Sequence, residues 1–426
     1  MSYTHAEWIR EHSKRMDGAL RTHLIQRYQT LRRIPCFLHN LTTYVIHKLS
    51  RTRVLIKMSP SSTASLQWAK EWMYETGRPT MKYFHSIGMF ATQLSMSQLQ
   101  SLLEMPSVEK VYLDRKVHAL LDTAVPSVGA PQVWSGGNEG EDVTIAIVDT
   151  GIHPHPDLTQ PTNRIIAFKD FVKGKTNPYD DNGHGTHCAG CAAGNGYRSD
   201  GKYRGAAPKA RLVGVKVLDK MGSGSLSTVI QGIQWCIDHR DEYGIRVISL
   251  SLGSTSHLSY KDDPVCQAVE EAWNHGITVV VAAGNEGPEP RTIASPGIHP
   301  RVITVGATDD HSTVDNSDNT IASFSSRGPT IDGIVKPDLV APGSQITSLR
   351  VKRSYLDKMS PNSRVGDDYT SLSGTSMATP IVAGVTALLL TSDPALTPDQ
   401  VKQQLLEKAQ DLKFPENEQG RGQVSA

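Results

Sequence analysis

Four short stretches of the 426-residue chain hold a nucleophile, a base, an acid and an amide donor. The first is Gly374-Thr375-Ser376-Met377-Ala378-Thr379-Pro380, followed by an apolar run to Leu390. That run reads as a buried helix opening at the serine. A helix start presents unpaired N–H groups and a partial positive charge, so negative charge developing beside Ser376 is stabilised. A serine capping a helix after glycine is also common without chemistry. The second stretch, Thr144-Ile145-Ala146-Ile147-Val148, ends in Asp149-Thr150-Gly151. A carboxylate ending a buried strand is costly unless paired; capping the next turn is its plainer use. In the third, Asp181-Asn182-Gly183-His184-Gly185-Thr186-His187, glycines flank His184 and leave its imidazole open. His184 and His187 also offer a metal pair, with no third ligand apparent. The fourth, Thr278 to Glu286, is a strand running into a loop where Asn285 can donate a hydrogen bond. Singly these are turn chemistry. Together they supply an acid, a base, a nucleophile and an amide donor.

Such a set needs a frame to gather it. Apolar runs at Val143–Asp149, Leu212–Leu218, Val247–Leu252, Thr278–Ala283, Val302–Ala307 and Lys336–Val340 predict strands. Between and after them, His184–Ala193, Leu226–His239, Pro264–His275, Thr375–Leu390 and Pro398–Ala409 predict helices. Near-continuous apolar strands alternating with helices imply an α/β fold, a parallel sheet covered on both faces. Ligands of such sheets bind at the strands' carboxyl ends, where all four stretches fall. Upstream, residues 52–58, Met81–Leu94 and Val108–Val117 read as strands, with helices over Ser61–Tyr74 and Ser95–Met105. That β-α-β-β-α-β order is ferredoxin-like. Leu120–Pro131 reads as a linker, broken by Pro126, Gly129 and Pro131. Residues 1 to about 45 open with an amphipathic helix, Trp8, Met16, Leu20, Leu24, Tyr28 and Leu31 recurring among arginines. The predicted organisation is a helical extension over 1–50, a small α+β domain over 51–121 and the α/β domain over 122–426.

Net charge of +1 with 20% charged residues argues against wholesale nucleic-acid binding. The first residues lack an apolar signal region, and the apolar run to Leu390 is too short to span a membrane. Five cysteines fit a reducing compartment better than a disulfide framework, so a cytoplasmic location is expected. Cys188 and Cys191 form a C-x-x-C with no second pair to complete a metal site, and read as packed small residues.

Val148-Asp149-Thr150-Gly151, His184-Gly185-Thr186-His187, Ala283-Gly284-Asn285 and the Ser376 stretch resemble, in order, the four signatures of subtilisin-like serine proteases (peptidase S8). The resemblance covers about Pro131 to Gln410, and the absent signal region is similar to the family's intracellular branch in bacilli. It implies a serine endopeptidase with a subtilisin-like three-layer fold and an acyl-enzyme intermediate. Ser376 would be the nucleophile, His184 the base and then acid, and Asp149 the residue orienting the imidazole. Asn285 would bind the oxyanion with the Ser376 N–H. Ser251-Leu252-Gly253 and Ala282-Ala283-Gly284 resemble the walls of the primary specificity pocket. Gly222-Ser223-Gly224 resembles the segment that pairs with substrate as an added strand. Apolar walls imply an apolar preference before the cut, with Glu286 adding tolerance for basic residues. The region from Arg51 to Val117 is similar in layout to the family's propeptide. This implies a zymogen inhibited by its own propeptide and cut near Leu121–Asp122. The implied partners are protein or peptide substrates, not nucleic acid, and no transmembrane segment is expected.

Some positions depart from the family pattern. Cys188 follows the histidine motif as in the thiol-bearing branch, which implies sensitivity to mercurials. Residues 193–204 stand where the family has a calcium loop, but Arg198 and Lys202 flank its only carboxylate, Asp200. No cofactor is required for the chemistry and calcium is disfavoured there. The acidic stretch Asp309, Asp310, Asp315 and Asp318 is a weaker candidate, leaving the metal content unknown. Residues 344–370 read as a long polar flap beside the site. A catalytically silent binding module on the same scaffold is the alternative reading. A nucleotide-binding α/β protein is a third, disfavoured because neither a G-x-G-x-x-G opening a βαβ unit nor a Walker loop is present.

Overall fold

β1 (Arg51–Met58) shows why the N-terminal part folds: its residues alternate outward and inward, with Thr52, Val54, Ile56 and Met58 buried. The computed structural model describes residues 8–16, 20–21, 24–25, 51–58, 82–84, 89–113, 121–255 and 258–426. The chain forms two compact units, Met1–His118 and Ala119–Ala426. In the first, β2 (Lys82–Phe84), β3 (Met89–Ser95) and β4 (Val108–Leu113) join β1 in an antiparallel sheet ordered β2-β3-β1-β4. Helix α1 (Met96–Glu104) links β3 to β4. Ser95 and Gln98 form a capping box at its start. Its apolar face, Leu99, Leu102 and Leu103, packs with Val54, Phe90 and Val111, and with Ile9, Met16, Leu20 and Leu24 from the N-terminal segment. The order β2-β3-β1-β4, with α1 between β3 and β4, is the described part of the unit read as ferredoxin-like. The predicted helix over Ser61–Tyr74, and Tyr28 and Leu31, lie outside the described residues.

In the second unit the sheet runs β11-β10-β9-β8-β5-β7-β6, with β12 also on β10. The strands are β5 (Thr144–Asp149), β6 (Ile165–Asp170), β7 (Arg211–Lys216), β8 (Ile245–Leu250), β9 (Thr278–Ala282), β10 (Ile303–Asp309), β11 (Thr320–Ile321) and β12 (Leu339–Pro342). All pairings are parallel except β10 with β11. Every residue of β5 is buried, as expected for a strand covered on both faces. Each fully buried Val or Ile there contributes about 1.5–3 kcal/mol.

Register brings the predicted strand ends to one edge. Asp149 pairs with Lys216, Ile147 with Ser249, and Leu250 with Val281. Helices α3 (His184–Ala193), α4 (Leu226–Asp238), α5 (Pro264–Asn274), α7 (Thr375–Ser392) and α8 (Pro398–Lys408) match the predicted segments to within two residues. By length and composition α7 passes for a membrane span. It is instead the core helix, buried from Met377 to Leu390 against the sheet and α3.

Three features differ from expectation. The predicted linker contains helix α2 (Leu121–Ser127): Ala124 and Val125 are fully buried, so apolar burial outweighs the proline near the helix end. Strand β6 escaped prediction because it is an edge strand with only Ile165 and Asp170 buried. The predicted flap is a small sheet of β13 (Ile346–Leu349), β14 (Arg364–Val365) and β15 (Tyr369–Leu372), ordered β13-β15-β14. It carries a short helix, α6 (Tyr355–Met359). Buried Asp357 ties it down, bonded by Arg350 Nε at 2.6 Å and Arg364 Nε at 2.8 Å.

Candidate active site

The Asp149 carboxylate, 1% exposed at the end of β5, is the fixed point of the site. His184 Nδ1 lies 2.8 Å from its Oδ1 and 3.0 Å from its Oδ2. A carboxylate only accepts, so Nδ1 carries the proton and Nε2 is left as the basic nitrogen. Burial lowers the His184 pKa, but the Asp149 carboxylate overrides it, and the imidazole is held well above its ordinary 6.5.

Buried Asp180 holds this pair in register. Its Oδ1 accepts from Thr150 Oγ1, Asn182 N–H and Gly183 N–H, at 3.0, 3.0 and 2.8 Å. Its Oδ2 accepts from Thr186 N–H and Oγ1, at 2.9 and 2.7 Å. The strand end beyond Asp149 and the helix start at His184 are thereby pinned to one carboxylate. Buried Lys216 adds a second tie, from Thr150 O to Asp181 Oδ1 at 2.6 and 2.8 Å. Neither residue stood out in the sequence. Asp180 is one of two adjacent aspartates, and only burial separates them.

Ser376 sits in the first turn of α7. Its Oγ donates to Ser251 O at 3.2 Å, and Ser251 Oγ donates to Ser376 O at 2.8 Å. Cys188, one turn along α3 from His184, touches both neighbours: its Sγ is 3.8 Å from His184 Nδ1 and 3.4 Å from Ser376 O. The imidazole and the serine thus flank one sulfur atom. The Ser376 N–H has no backbone partner among the described residues.

Asn285 is oriented by Thr375, whose N–H and Oγ1 donate to its Oδ1 at 2.9 and 3.1 Å. That spends the acceptor end of the amide and leaves Nδ2 as the outward donor. Gly374, at φ +157°, adopts backbone that side-chain-bearing residues rarely take, while a Cβ there would make only ordinary contact with Nδ2 at 3.4 Å.

Two cavities flank these groups. The larger, about 510 Å³, includes His184, Gly222, Ser223, Gly224, Leu252 and Gly253 in its lining. The smaller, about 330 Å³, reaches Ser376 and Asn285 and is walled by Gly253, Ala282, Gly284 and Ala294. The two share Leu252, Gly253 and Ser254. Ala283 lines neither: its methyl packs with Cys266, Ile293 and Ile298. Exposed Glu286 sits at the rim of the smaller cavity. The backbone groups of Gly224, Leu252 and Gly253 make no hydrogen bond among the described residues.

His187 is no partner of His184. Its Nε2–H donates to Ile346 O at 3.0 Å, its Nδ1 faces Cys191 Sγ at 3.7 Å, and burial pulls its pKa to about 3. Cys188, Cys191, Cys236 and Cys266 are buried free thiols, as the packed-residue reading expects. Among the described residues, the one convergent group of possible metal ligands is Asp149, His184 and Cys188; the carboxylates of residues 309–318 form none. Around residues 193–204, Asp157 Oδ1 accepts from Arg198 N–H at 3.0 Å and Oδ2 from Tyr369 Oη at 2.8 Å. The Arg198 guanidinium bonds Asp368 at 3.0 Å.

A doubly covered parallel sheet bearing a serine, an imidazole and a buried carboxylate along its carboxyl edge defines a serine hydrolase class, and comparison with known proteins narrows it. Residues 140–423 match the subtilase family model; the chain belongs to that family and is a serine endopeptidase. It is 47% identical to the serine protease AprX of Bacillus subtilis, over 95% of this chain and 93% of the relative. It is 35% identical to subtilisin E of the same species, over 82% of this chain and 81% of that one. Among solved structures, Sphericase aligns with TM-score 0.55 at 31% identity, over 67% of this chain and 92% of its own. The S41 psychrophilic protease aligns with TM-score 0.57 at 32%, with the same coverage.

Proposed function

We propose that the chain hydrolyses internal peptide bonds through Ser376, His184 and Asp149, and is made as a zymogen that processes itself. The observation that carries this reading is the doubly hydrogen-bonded Asp149–His184 pair set beside the helix-opening serine. Ser376 Oγ turns from Ser251 O to the imidazole, attacks the substrate carbonyl carbon and gives its proton to His184 Nε2. The oxyanion is held by Asn285 Nδ2 and the Ser376 N–H. Collapse breaks the C–N bond, and His184 hands its proton to the departing amine. Water then attacks the acyl-enzyme, its proton passing to His184 and on to Ser376 Oγ as the acid leaves. The free backbone edges at Gly224 and Leu252–Gly253 suit an extended peptide added as a strand between them.

The unit before Ala119 acts in this reading as propeptide and inhibitor, with cleavage near Leu121–Asp122. In support, Ala124 and Val125 are buried in the second unit's core and Thr123 Oγ1 donates to Asp310 Oδ2 at 3.1 Å. Residues after the cut therefore stay docked. The buried free thiols favour a cytoplasmic site of action. The engaged Asp157 and Asp368 favour a 193–204 loop held by protein contacts rather than calcium.

Hydrolysis of an unstructured polypeptide, wild type against Ser376→Ala, tests the catalytic reading. Activity should vanish in the variant, and equal activity would refute the assignment. N-terminal sequencing of active enzyme tests processing: a new terminus near Asp122 is expected, and an intact Met1 contradicts it. A binding module without turnover would leave the polypeptide uncut in both forms.

A further inference from the structure

We infer that Leu356, carried on the insertion between β13 and β14, is a specificity-determining residue that selects an apolar substrate side chain immediately before the one in the primary pocket. The inference rests on the peptidase reading above.

The insertion is built onto the loop that presents the catalytic imidazole. Tyr355 N–H donates to Asp181 O and Leu356 N–H to Asn182 O, both at 3.0 Å. Those carbonyls belong to the residues just before Gly183 and His184. Gly183 sits at φ +106°, and a Cβ there would lie 2.8 Å from Ser354 Oγ. Only a glycine lets the two segments approach so closely. Ser354 Oγ caps α6 by accepting from Asp357 N–H at 3.3 Å. The Asp357 carboxylate then accepts from Arg350 Nε, Arg364 Nε and Arg353 N–H, at 2.6, 2.8 and 2.8 Å. Leu356 is thus fixed to the active-site loop at its backbone and to the insertion at the next residue.

Its side chain lines the larger cavity with Asn182, His184, Leu218 and Met221. Met221 is 60% exposed, apolar surface awaiting a partner. Successive side chains of an extended peptide point to opposite sides. With one in the cavity walled by Gly253, Ala282 and Gly284, the preceding one turns over His184. There it meets Leu218, Met221 and Leu356. No charged side chain lines that part of the cavity apart from His184, so an aliphatic residue fits and a carboxylate does not.

Quenched peptides identical except at this position (Leu, Ser or Asp) test the idea on the processed enzyme. Rates are normalised to active sites titrated with a small fluorophosphonate, which has no group at that position. Wild type should favour Leu over Ser about tenfold in kcat/KM. Leu356→Ala should bring that ratio to about twofold or less, and Leu356→Lys should raise Asp above Ser. An unchanged Leu-to-Ser ratio in Leu356→Ala, or no wild-type preference, would overturn the inference while leaving the peptidase reading intact. A wild type that takes no label and cuts no peptide would overturn both.

Discussion

At the residue scale, function depends on how few degrees of freedom the reacting groups keep. Thr375 spends the Asn285 acceptor, so the amide points its donor outward before any substrate arrives. Asn285→Ala should therefore lower kcat by about 10²–10³-fold with little change in KM, the loss measured when this donor is removed from subtilisin itself. A steady-state comparison checks this; a change confined to KM would contradict it. His184 must be neutral to accept the serine proton. Its pKa is raised by Asp149, so kcat/KM should rise with pH through a midpoint above 6.5 and flatten only on the alkaline side. A midpoint below 6.5 would mean the carboxylate does not govern the imidazole. The four reacting groups were legible in the sequence because each sits in a motif with glycines or strand ends around it. Asp180, Lys216 and Leu356 were not. Lys216 and Leu356 act through segments distant in the chain, and Asp180 differs from its neighbour Asp181 only in burial and in its tie to Thr150.

At the element scale, α3, α4, α5, α7 and α8 were legible because each pairs buried apolar positions with clear ends. Ser225, Asp263 and Thr397 cap three of them. The buried strands were legible by the same argument, and the half-exposed edge strand β6 was not. The 344–370 segment read as a flap because it is polar. Its order comes instead from charge pairing, with Asp357 nearly buried between two arginines. Burial raises the Asp357 pKa, but Arg350, Arg364 and the Arg353 N–H outweigh it and draw it down to about 2. The stabilisation is therefore present above the ordinary carboxylate pKa near 3.8 and is lost as pH falls through about 2. Asp357→Asn should cost about 2 kcal/mol and speed hydrogen exchange at Tyr355 and Leu356 above that at β5. Unchanged exchange there would show that the insertion is held by other means.

At the scale of the whole molecule, stability of the second unit depends on buried polar ties as well as its apolar sheet. Lys336 Nζ is fully buried, donating to Val302 O, Thr304 Oγ1 and Asp338 Oδ2. Lys402 reaches from α8 to the other oxygen of Asp338 at 2.8 Å. One carboxylate thus joins β10, the start of β12 and α8. Asp338→Ala would leave a buried ammonium unpaired, at a cost of about 3–5 kcal/mol. Thermal unfolding of the Ser376→Ala background, which cannot digest itself, should show a drop of several degrees; a shift within about 1 °C would contradict the role given to the cluster. The α/β class was legible from the alternation of strands and helices. Tertiary packing that turns the predicted linker into α2 was not, because Pro126 argues locally against a helix that burial nonetheless secures.

The central claim is that the fold activates one hydroxyl, that of Ser376, through His184. Mass spectrometry of protein treated with a phosphonofluoridate reads this directly. The expected result is a single adduct on the peptide containing Ser376, absent in His184→Ala. An adduct on another residue, or undiminished labelling in His184→Ala, would contradict it.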